Sequence, residues 1–205
     1  MSNVNSYNGF WNLPVYTLTD TNEHALLVPS AAGIYPGLPC PEYPASSGIC
    51  IPATYDLPTG GTLDGHAFCI QLVGLLANPG AGNLTIKLYQ VPYASLGTIS
   101  ATGSVTSAGA PGSGDNNVDS IAFTTPASGH FQILWTLMWD STVAKLDGTH
   151  IGQVNNATVA FANVGTQLTS GVASSQALNF LVSFTFATGN AGNSVTVKEF
   201  SMERY

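Results

Sequence analysis

A chain of 205 residues with only 4 basic and 11 acidic side chains has a net charge of −7 at pH 7, and 44% of its residues are hydrophobic. That hydrophobic fraction is enough to build a core, which excludes disorder throughout. So few cations cannot neutralise a run of phosphates, which excludes direct genome binding and attraction to anionic membranes. The surface must be wetted by hydroxyls and amides, as expected of a protein that covers much of itself with other protein.

The first 60 residues are marked by proline. Seven of the 12 prolines lie between Pro29 and Pro58. Proline removes a backbone donor and pushes the preceding residue towards an extended conformation, so this stretch cannot be a helix or a central strand. We therefore predict an extended arm over residues 1–60. Within it, segments 10–18 and 25–28 are expected to add strands to the chain's own body or to that of a neighbour.

From residue 61 onward, apolar side chains recur at every second position. The pattern is clearest at 178–186 and 131–140 and predicts strands with one buried face, with Trp135 and Trp139 on the buried side. Residues 68–76 are apolar on both faces, as in a central strand, and 84–88 alternate. Weaker strand candidates are 98–105, 120–124, 158–164 and 194–204.

Turn residues separate these predicted strands at 78–83 and 189–193, and Asp147-Gly148 is the dipeptide of a two-residue hairpin. Residues 101–117, rich in Gly, Ser and Ala, predict a long loop. No segment repeats every 3.6 residues. The sequence therefore predicts an all-β fold over residues 61–205, a two-sheet antiparallel sandwich of about eight or nine strands wound as a jelly roll.

No residue pattern typical of a catalytic, cofactor or metal site stands out, so none is predicted. One calcium candidate was weighed at Asp115, Asn116, Asn117 and Asp119, where a solvated acidic turn is the favoured interpretation. The histidines, His24, His66, His130 and His150, are predicted to form hydrogen bonds at the sheet rims.

The three cysteines are an odd number, which predicts free thiols. Cys69 is expected in the core, and pairing of Cys40 with Cys50 is left open. Aromatic residues of the arm are the predicted contact residues, because such side chains are enriched at protein interfaces. They are Phe10, Trp11, Tyr35 and Tyr43.

Three parts of the sequence together resemble structural proteins of tailed-phage virions. They are the aromatic strand, turn and final strand over residues 179–204, the stretch 139–142, and the proline-rich arm. The proteins that it resembles include jelly-roll head-decoration (cement) proteins and related tail modules. The resemblance implies a homo-oligomer, with a trimer favoured, bound to the major capsid protein on the outer surface of the capsid. It implies no nucleic-acid or membrane partner and no enzymatic activity.

Two other functions stay open. The chain is alternatively a receptor- or glycan-binding module of a tail fibre, with Tyr89 and Tyr93 exposed at loop tips, or the major jelly-roll capsid protein itself. The N-terminus has neither a basic region nor an apolar core, so no secretory signal is predicted, and synthesis in the host cytoplasm is expected.

Overall fold

The computed structural model describes residues 6–11, 15–26, 49–51, 67–91, 116–140, 145–167 and 178–204. Within these ranges the secondary structure consists of twelve β-strands. They are β1 Ser6–Trp11, β2 Val15–Thr17, β3 His24–Leu26, β4 Ile49–Ile51, β5 Ala67–Ala77, β6 Asn83–Val91, β7 Asn116–Thr124, β8 Ser128–Asp140, β9 Lys145–Val154, β10 Ala157–Gln167, β11 Leu178–Phe186 and β12 Ser194–Arg204. Over the same ranges, no helix offers a stretch able to cross a bilayer.

The strands form two sheets in which every pairing is antiparallel. Sheet A has the order β1-β12-β5-β8-β9-β10, with β2 also pairing with β12. Sheet B has the order β3-β11-β6-β7, with β4 also pairing with β11. Three pairings of long strands are nested along the sequence as in a jelly roll, β5 with β12, β6 with β11 and β8 with β9, whereas β7 pairs with β6 and β10 pairs with β9. The predicted two-sheet antiparallel sandwich is confirmed.

The core is the layer of alternate side chains between the sheets. From β8 of sheet A it receives Phe131, Ile133, Trp135 and Leu137, and from β11 of sheet B it receives Phe180, Val182, Phe184 and Phe186. Across the layer, the rings of Phe131 and Phe184 meet edge to face with centroids 5.9 Å apart. Each such side chain contributes about 1.5–3 kcal/mol by leaving water, so this layer dominates folding.

Most of the predicted strands are found. The candidates at 178–186 and 194–204 coincide with β11 and β12, and the two-sided apolar run at 68–76 lies in β5, which has a neighbour on each side. The predicted turns at 78–83 and 189–193 also join strands. The candidate at 98–105 lies outside the described residues.

The described segments of the N-terminal region pair with the chain's own sheets. β1 and β2 lie along β12, and β3 and β4 lie along β11. Of the two alternatives for these segments, addition to the chain's own body is the one observed. The remainder of residues 1–60 lies outside the described residues, so the boundary at residue 60 stays a prediction.

The predicted hairpin at Asp147-Gly148 is wrong, because both residues lie inside β9. The two-residue turn occurs instead between β9 and β10 at Asn155 and Asn156, whose φ angles are 47° and 66°. Positive φ at both central residues is what a tight hairpin of this type requires, and asparagine tolerates it. Gly148 serves another purpose, since a Cβ there would overlap the Thr136 carbonyl oxygen.

Gly74 is a second position where a side chain has no room. A Cβ there would overlap the Phe131 ring and lie 2.7 Å from the Thr196 carbonyl oxygen. Since the ring is packed in the core, we expect Gly74→Ala to lower the free energy of unfolding by about 1–3 kcal/mol in urea titrations.

The matched control for Gly74→Ala is Gly165→Ala in β10. There a Cβ would meet only the flexible ends of the Asp147 and Lys145 side chains. The expected change is within about 0.5 kcal/mol, and equal losses in the two variants would contradict the packing argument.

Candidate functional site

The side of sheet A that points away from sheet B, here called the outer face, is the candidate contact surface. Residues paired across neighbouring strands point to the same side, so the strand registers define rows. The central row is Phe161, Ile151, Leu134, Gln71 and Ser201. The row beside it is Asn163, Thr149, Thr136, Cys69 and Glu203.

Large apolar side chains are exposed on this face. Among the described residues, the exposed large hydrophobic side chains are Leu75 at 46%, Met138 at 46%, Ile151 at 37% and Phe161 at 67%. All four project from the outer face, since each follows the parity opposite to the core residues of its strand. Phe161 and Ile151 are neighbours in the central row, whereas Leu75 and Met138 lie towards opposite ends of the sheet. Neighbouring exposed apolar side chains mark an interaction surface, whereas single exposed hydrophobic residues are ordinary.

The outer face carries little charge. Nine of the ten residues of the two rows are uncharged, and the exception is Glu203 at the β12 end of the second row. At one margin, Lys145 and Asp147 neutralise each other across 2.7 Å. Glu199 also belongs to β12, where it accepts a hydrogen bond from Ser201 Oγ at 2.7 Å. The centre of the face can therefore be dried without stripping water from a charge.

A shallow groove of about 320 Å³ lies on the same face near Lys145 and Asp147. It is lined by Ala67, Thr136, Leu137, Met138, Asp147, Gly148 and Thr149. The absence of a side chain at Gly148 and the short side chain of Ala67 leave this depression between β8 and its neighbours. The groove makes the outer face uneven enough to receive a projecting side chain.

The outer side of sheet B carries a different arrangement, centred on Glu23. Its Oε1 accepts hydrogen bonds from Ser183 Oγ at 2.5 Å and from Tyr89 OH at 2.8 Å, and its Oε2 accepts one from Lys87 Nζ at 2.9 Å. The turn before β3 positions Glu23, because Asp20 accepts hydrogen bonds from the Asn22 backbone and lies 2.6 Å from His24 Nε2. The cluster thus fastens the N-terminal segment onto strands β6 and β11.

The pKa of Glu23 is lowered from its usual value of 4.5. Burial alone would raise this pKa, but the hydrogen bonds from Ser183, Lys87 and Tyr89, together with the charge of Lys87, outweigh burial. The cluster therefore holds a carboxylate, and its contribution to stability depends on that carboxylate staying ionised.

A second buried polar group joins β7 of sheet B to the inner side of sheet A. Trp135 Nε1 donates to Asp119 Oδ2 at 2.6 Å, and His150 Nδ1 lies 2.7 Å from the same oxygen. The side chains of His150 and Asp119 are only 6% and 10% exposed. This group ties the two sheets together where β7 lies beside β9 and β10.

Ser183 and His150 are buried, whereas the side chains of Glu23 and Lys87 are about a quarter exposed. Ser183 is completely buried, and its hydroxyl proton is directed at Glu23, so its oxygen has no path to an external electrophile. His150 is equally enclosed, and the carboxylate beside it is shared with an indole. What these arrangements do chemically is satisfy buried polar atoms and fix one element against another.

Two of the predicted contact residues fall on a described strand. Phe10 and Trp11 end β1, whose backbone pairs with β12 opposite Phe200 and Glu199. Their side chains, and Tyr35 and Tyr43 entirely, lie outside the described residues. The structure therefore brings Phe10 and Trp11 to the β12 side of sheet A, and their contact role stays a prediction.

The calcium candidate falls mostly on a strand rather than in a turn. Asn116, Asn117 and Asp119 belong to β7, while Asp115 lies outside the described residues. Asn116 is buried and donates to Gln90 Oε1 at 2.7 Å, whereas its neighbour Asn117 is exposed on the opposite side. Asp119 is engaged by Trp135. In the described residues no group of three or more His, Cys, Asp or Glu side chains converges as metal ligands would.

The histidine prediction is correct in part. His130 Nε2 lies 3.1 Å from Asn156 Oδ1 beside the β9–β10 turn, as expected at a rim. His150 departs from the prediction, because it points into the sandwich from the middle of β9. Cys69 lies on the outer face and is half-buried, so its expected place in the core is wrong. His66 and Cys40 lie outside the described residues, as does the side chain of Cys50.

The predictions for the aromatic residues are also correct only in part. Trp135 is fully buried, as predicted, whereas the side chain of Trp139 lies outside the described residues. Tyr89 was a candidate glycan contact, but it is only 8% exposed and bonded to Glu23. Tyr93 lies outside the described residues. The exposed aromatic is instead Phe161, which the sequence analysis did not single out. The sequence did contain a sign of this exposed face, because Leu134 and Ile151 are apolar residues on the mostly polar side of their strands.

No protein-family model and no curated protein matches this chain. Solved structures give low scores. Winged bean acidic lectin aligns at 15% identity and TM-score 0.44 over 98% of this chain and 97% of its own. The CBM2 module of the evolved Dit protein of Lactobacillus casei BL23 phage J-1 aligns at 10% identity and TM-score 0.37, covering 99% and 90%. Peanut lectin aligns at 10% identity and TM-score 0.36, covering 100% and 94%. At these scores the similarities assign neither a family nor a ligand.

Removing the Glu23 charge tests the first polar cluster. Because the folded-state pKa of Glu23 lies below its unfolded value, its stabilisation is present above about pH 4.5 and is lost as the pH falls through the folded pKa. Glu23→Gln should lower the free energy of unfolding by about 1–3 kcal/mol at pH 7, and this difference should shrink at about pH 3.

Urea unfolding at both pH values measures the Glu23 effect. Glu199→Gln, which removes a carboxylate hydrogen-bonded only within β12, controls for the loss of one negative charge. A difference between wild type and Glu23→Gln that widened on acidification would contradict the assignment.

A double-mutant cycle tests the second cluster. Asp119→Ala leaves the partly buried Trp135 indole without this acceptor, and a loss of about 1–3 kcal/mol is expected. Trp135→Phe should cost at least about 1 kcal/mol less in the Asp119→Ala background than in wild type, because the hydrogen bond is already gone. Strictly additive losses in thermal or urea unfolding would show that the bond contributes nothing.

Proposed function

We propose that this chain is a structural protein of a virus particle, specifically a decoration protein on the outer surface of a tailed-phage capsid. It would act by contact with neighbouring subunits and not by chemistry. The observation that carries the proposal is the outer face of sheet A, where exposed apolar side chains and rows of mostly uncharged residues lie together. A surface of this kind is suited to being covered by other protein.

The low charge of the chain supports the same proposal. With 4 basic and 11 acidic residues, most of the polar surface consists of hydroxyls and amides. Burying such groups in hydrogen-bonded contacts costs far less than burying ions. The excess of acidic groups also keeps the protein away from nucleic acid, which suits an outer position.

The mechanism would be mass action on the shell. A protein that binds only the assembled arrangement of capsid subunits stabilises that arrangement in proportion to its own binding energy. Sheet A would supply one contact surface, and the aromatic residues of the N-terminal region, Phe10, Trp11, Tyr35 and Tyr43, would supply others. The major capsid protein and further copies of this chain are the proposed partners.

The location of the protein in the particle tests this function. A label fused to the protein should appear across the whole shell in electron micrographs of purified particles. The copy number should be a fixed multiple of capsid facets, in addition to a separate coat protein. A label confined to the tail would contradict the proposal, and absence of any other shell protein would make this chain the coat itself.

A glycan-binding module is the second candidate, favoured by one observation. Phe161 is 67% exposed and has the amide of Asn163 two residues along the same edge strand. A flat ring beside amide donors and acceptors suits a sugar, which offers an apolar face and hydroxyls. Binding on a glycan array that disappears with Phe161→Ala would support this role, and an array without signal would remove it.

A further inference from the structure

We infer that the outer face of sheet A binds the same face of a second copy of this chain, as a two-fold contact centred on the row from Phe161 to Leu134. This inference rests on the proposed function for the idea that the face works by contact, and it names the occupant. A two-fold contact is isologous, so the surface has to be complementary to itself.

The outer sides of sheets A and B differ in how far the chain itself covers them. On sheet B, the chain's own Glu23 covers Ser183, which is fully buried, and Tyr89, which is 8% exposed. On sheet A, no described segment lies over the face, and Phe161 and Met138 stay 67% and 46% exposed. The apolar exposure is therefore confined to one face of the described fold.

The distribution of charge on the outer face favours a second copy of this chain as the partner. A net charge of −7 would ordinarily make two copies repel each other. On β10, β9, β8 and β5 the two rows carry no charge, and the nearby Lys145 and Asp147 form their own ion pair. Two copies that meet over these four strands thus bring no charges of the same sign together in the rows. A strongly basic or acidic partner, by contrast, would find no complementary charge in this part of the rows.

The area of the face fits a stable dimer. Strands β5, β8, β9 and β10 lie side by side in sheet A and are 10 to 13 residues long. With strands about 4.8 Å apart and residues about 3.4 Å apart, their face covers about 700 Å². That lies within the range of about 600–1,000 Å² that each partner contributes to an interface of standard size.

The face also has features that are typical of interface hot spots, the few residues that contribute most of the binding energy. Phe161 projects furthest and is aromatic, as interface anchors commonly are. The groove beside Met138 offers a partly apolar depression on the same surface. Uncharged hydroxyls and amides, from Thr136, Thr149 and Asn163, surround these apolar parts and can pair across the contact.

Sedimentation equilibrium of the full-length protein at micromolar concentrations tests the contact. Wild type should sediment as a dimer or a multiple of two. Phe161→Asp places two like charges in a drying interface, and it should raise the dissociation constant at least about 30-fold, since burying an unpaired charge costs several kcal/mol. Ile151→Thr keeps the β-branched shape and should weaken association about three- to tenfold.

The matched control is Ala122→Asp, which adds the same charge at an exposed position of β7 in sheet B. It should leave association unchanged. Melting temperatures of all variants, measured in parallel, separate a lost contact from lost folding; if Phe161→Asp fails to fold, the milder Ile151→Thr decides. A monomeric or trimeric wild type, or a dimer insensitive to both outer-face substitutions, would overturn the inference.

The two proposals fail in different ways. A wild type that stays monomeric yet covers the capsid in micrographs overturns the two-fold contact and leaves the decoration role standing. A dimer sensitive to Phe161→Asp in a protein absent from the shell keeps the contact and overturns the role.

Discussion

The packed layer between the two sheets is the interaction on which the rest of the structure depends. Phe131 and Phe184 meet across it, and the alternate residues of β8 and β11 fill it. A strand can give only one side to such a layer, because its side chains alternate. The other sides of sheets A and B must therefore be wetted, covered by the chain itself, or covered by another protein.

The chain uses polar side chains to hold the layer closed. Asp119 reaches from β7 to Trp135 of the opposite sheet, and Glu23 fastens the N-terminal segment onto Lys87 and Ser183. Glu23 accepts hydrogen bonds from three donors, which suits a protein with so few charges. These contacts explain why the few acidic groups include two that are largely shielded from solvent, with side-chain exposures of 10% and 23%.

The strands could be predicted from the sequence because burial of one side imposes a period of two. The prediction of β11 was accurate for that reason, since Phe180, Val182, Phe184 and Phe186 all enter the core. Contacts between distant residues left no such pattern. Glu23 and Ser183 are 160 positions apart, and their pairing arises only when β3 lies along β11.

Local turn chemistry was the less reliable guide. Asp147-Gly148 has the composition of a hairpin, yet the pairing of β9 with β8 on one side and with β10 on the other keeps it extended. The outer face was missed for a different reason. Leu134 and Ile151 look like stray apolar residues within their own strands, and only the register places them side by side with Phe161. A one-dimensional pattern does not report which strands are neighbours.

The position of β10 at the end of sheet A has one more consequence. Its sequence from Ala157 to Gln167 contains no charge and no proline, and no described strand pairs with its far side. An exposed edge of that kind offers a row of backbone donors and acceptors with which a second chain could pair and aggregate. β7 of sheet B lies beside this edge, and the register shift between Thr158 and Ala160 disrupts its first part. Both features limit such pairing.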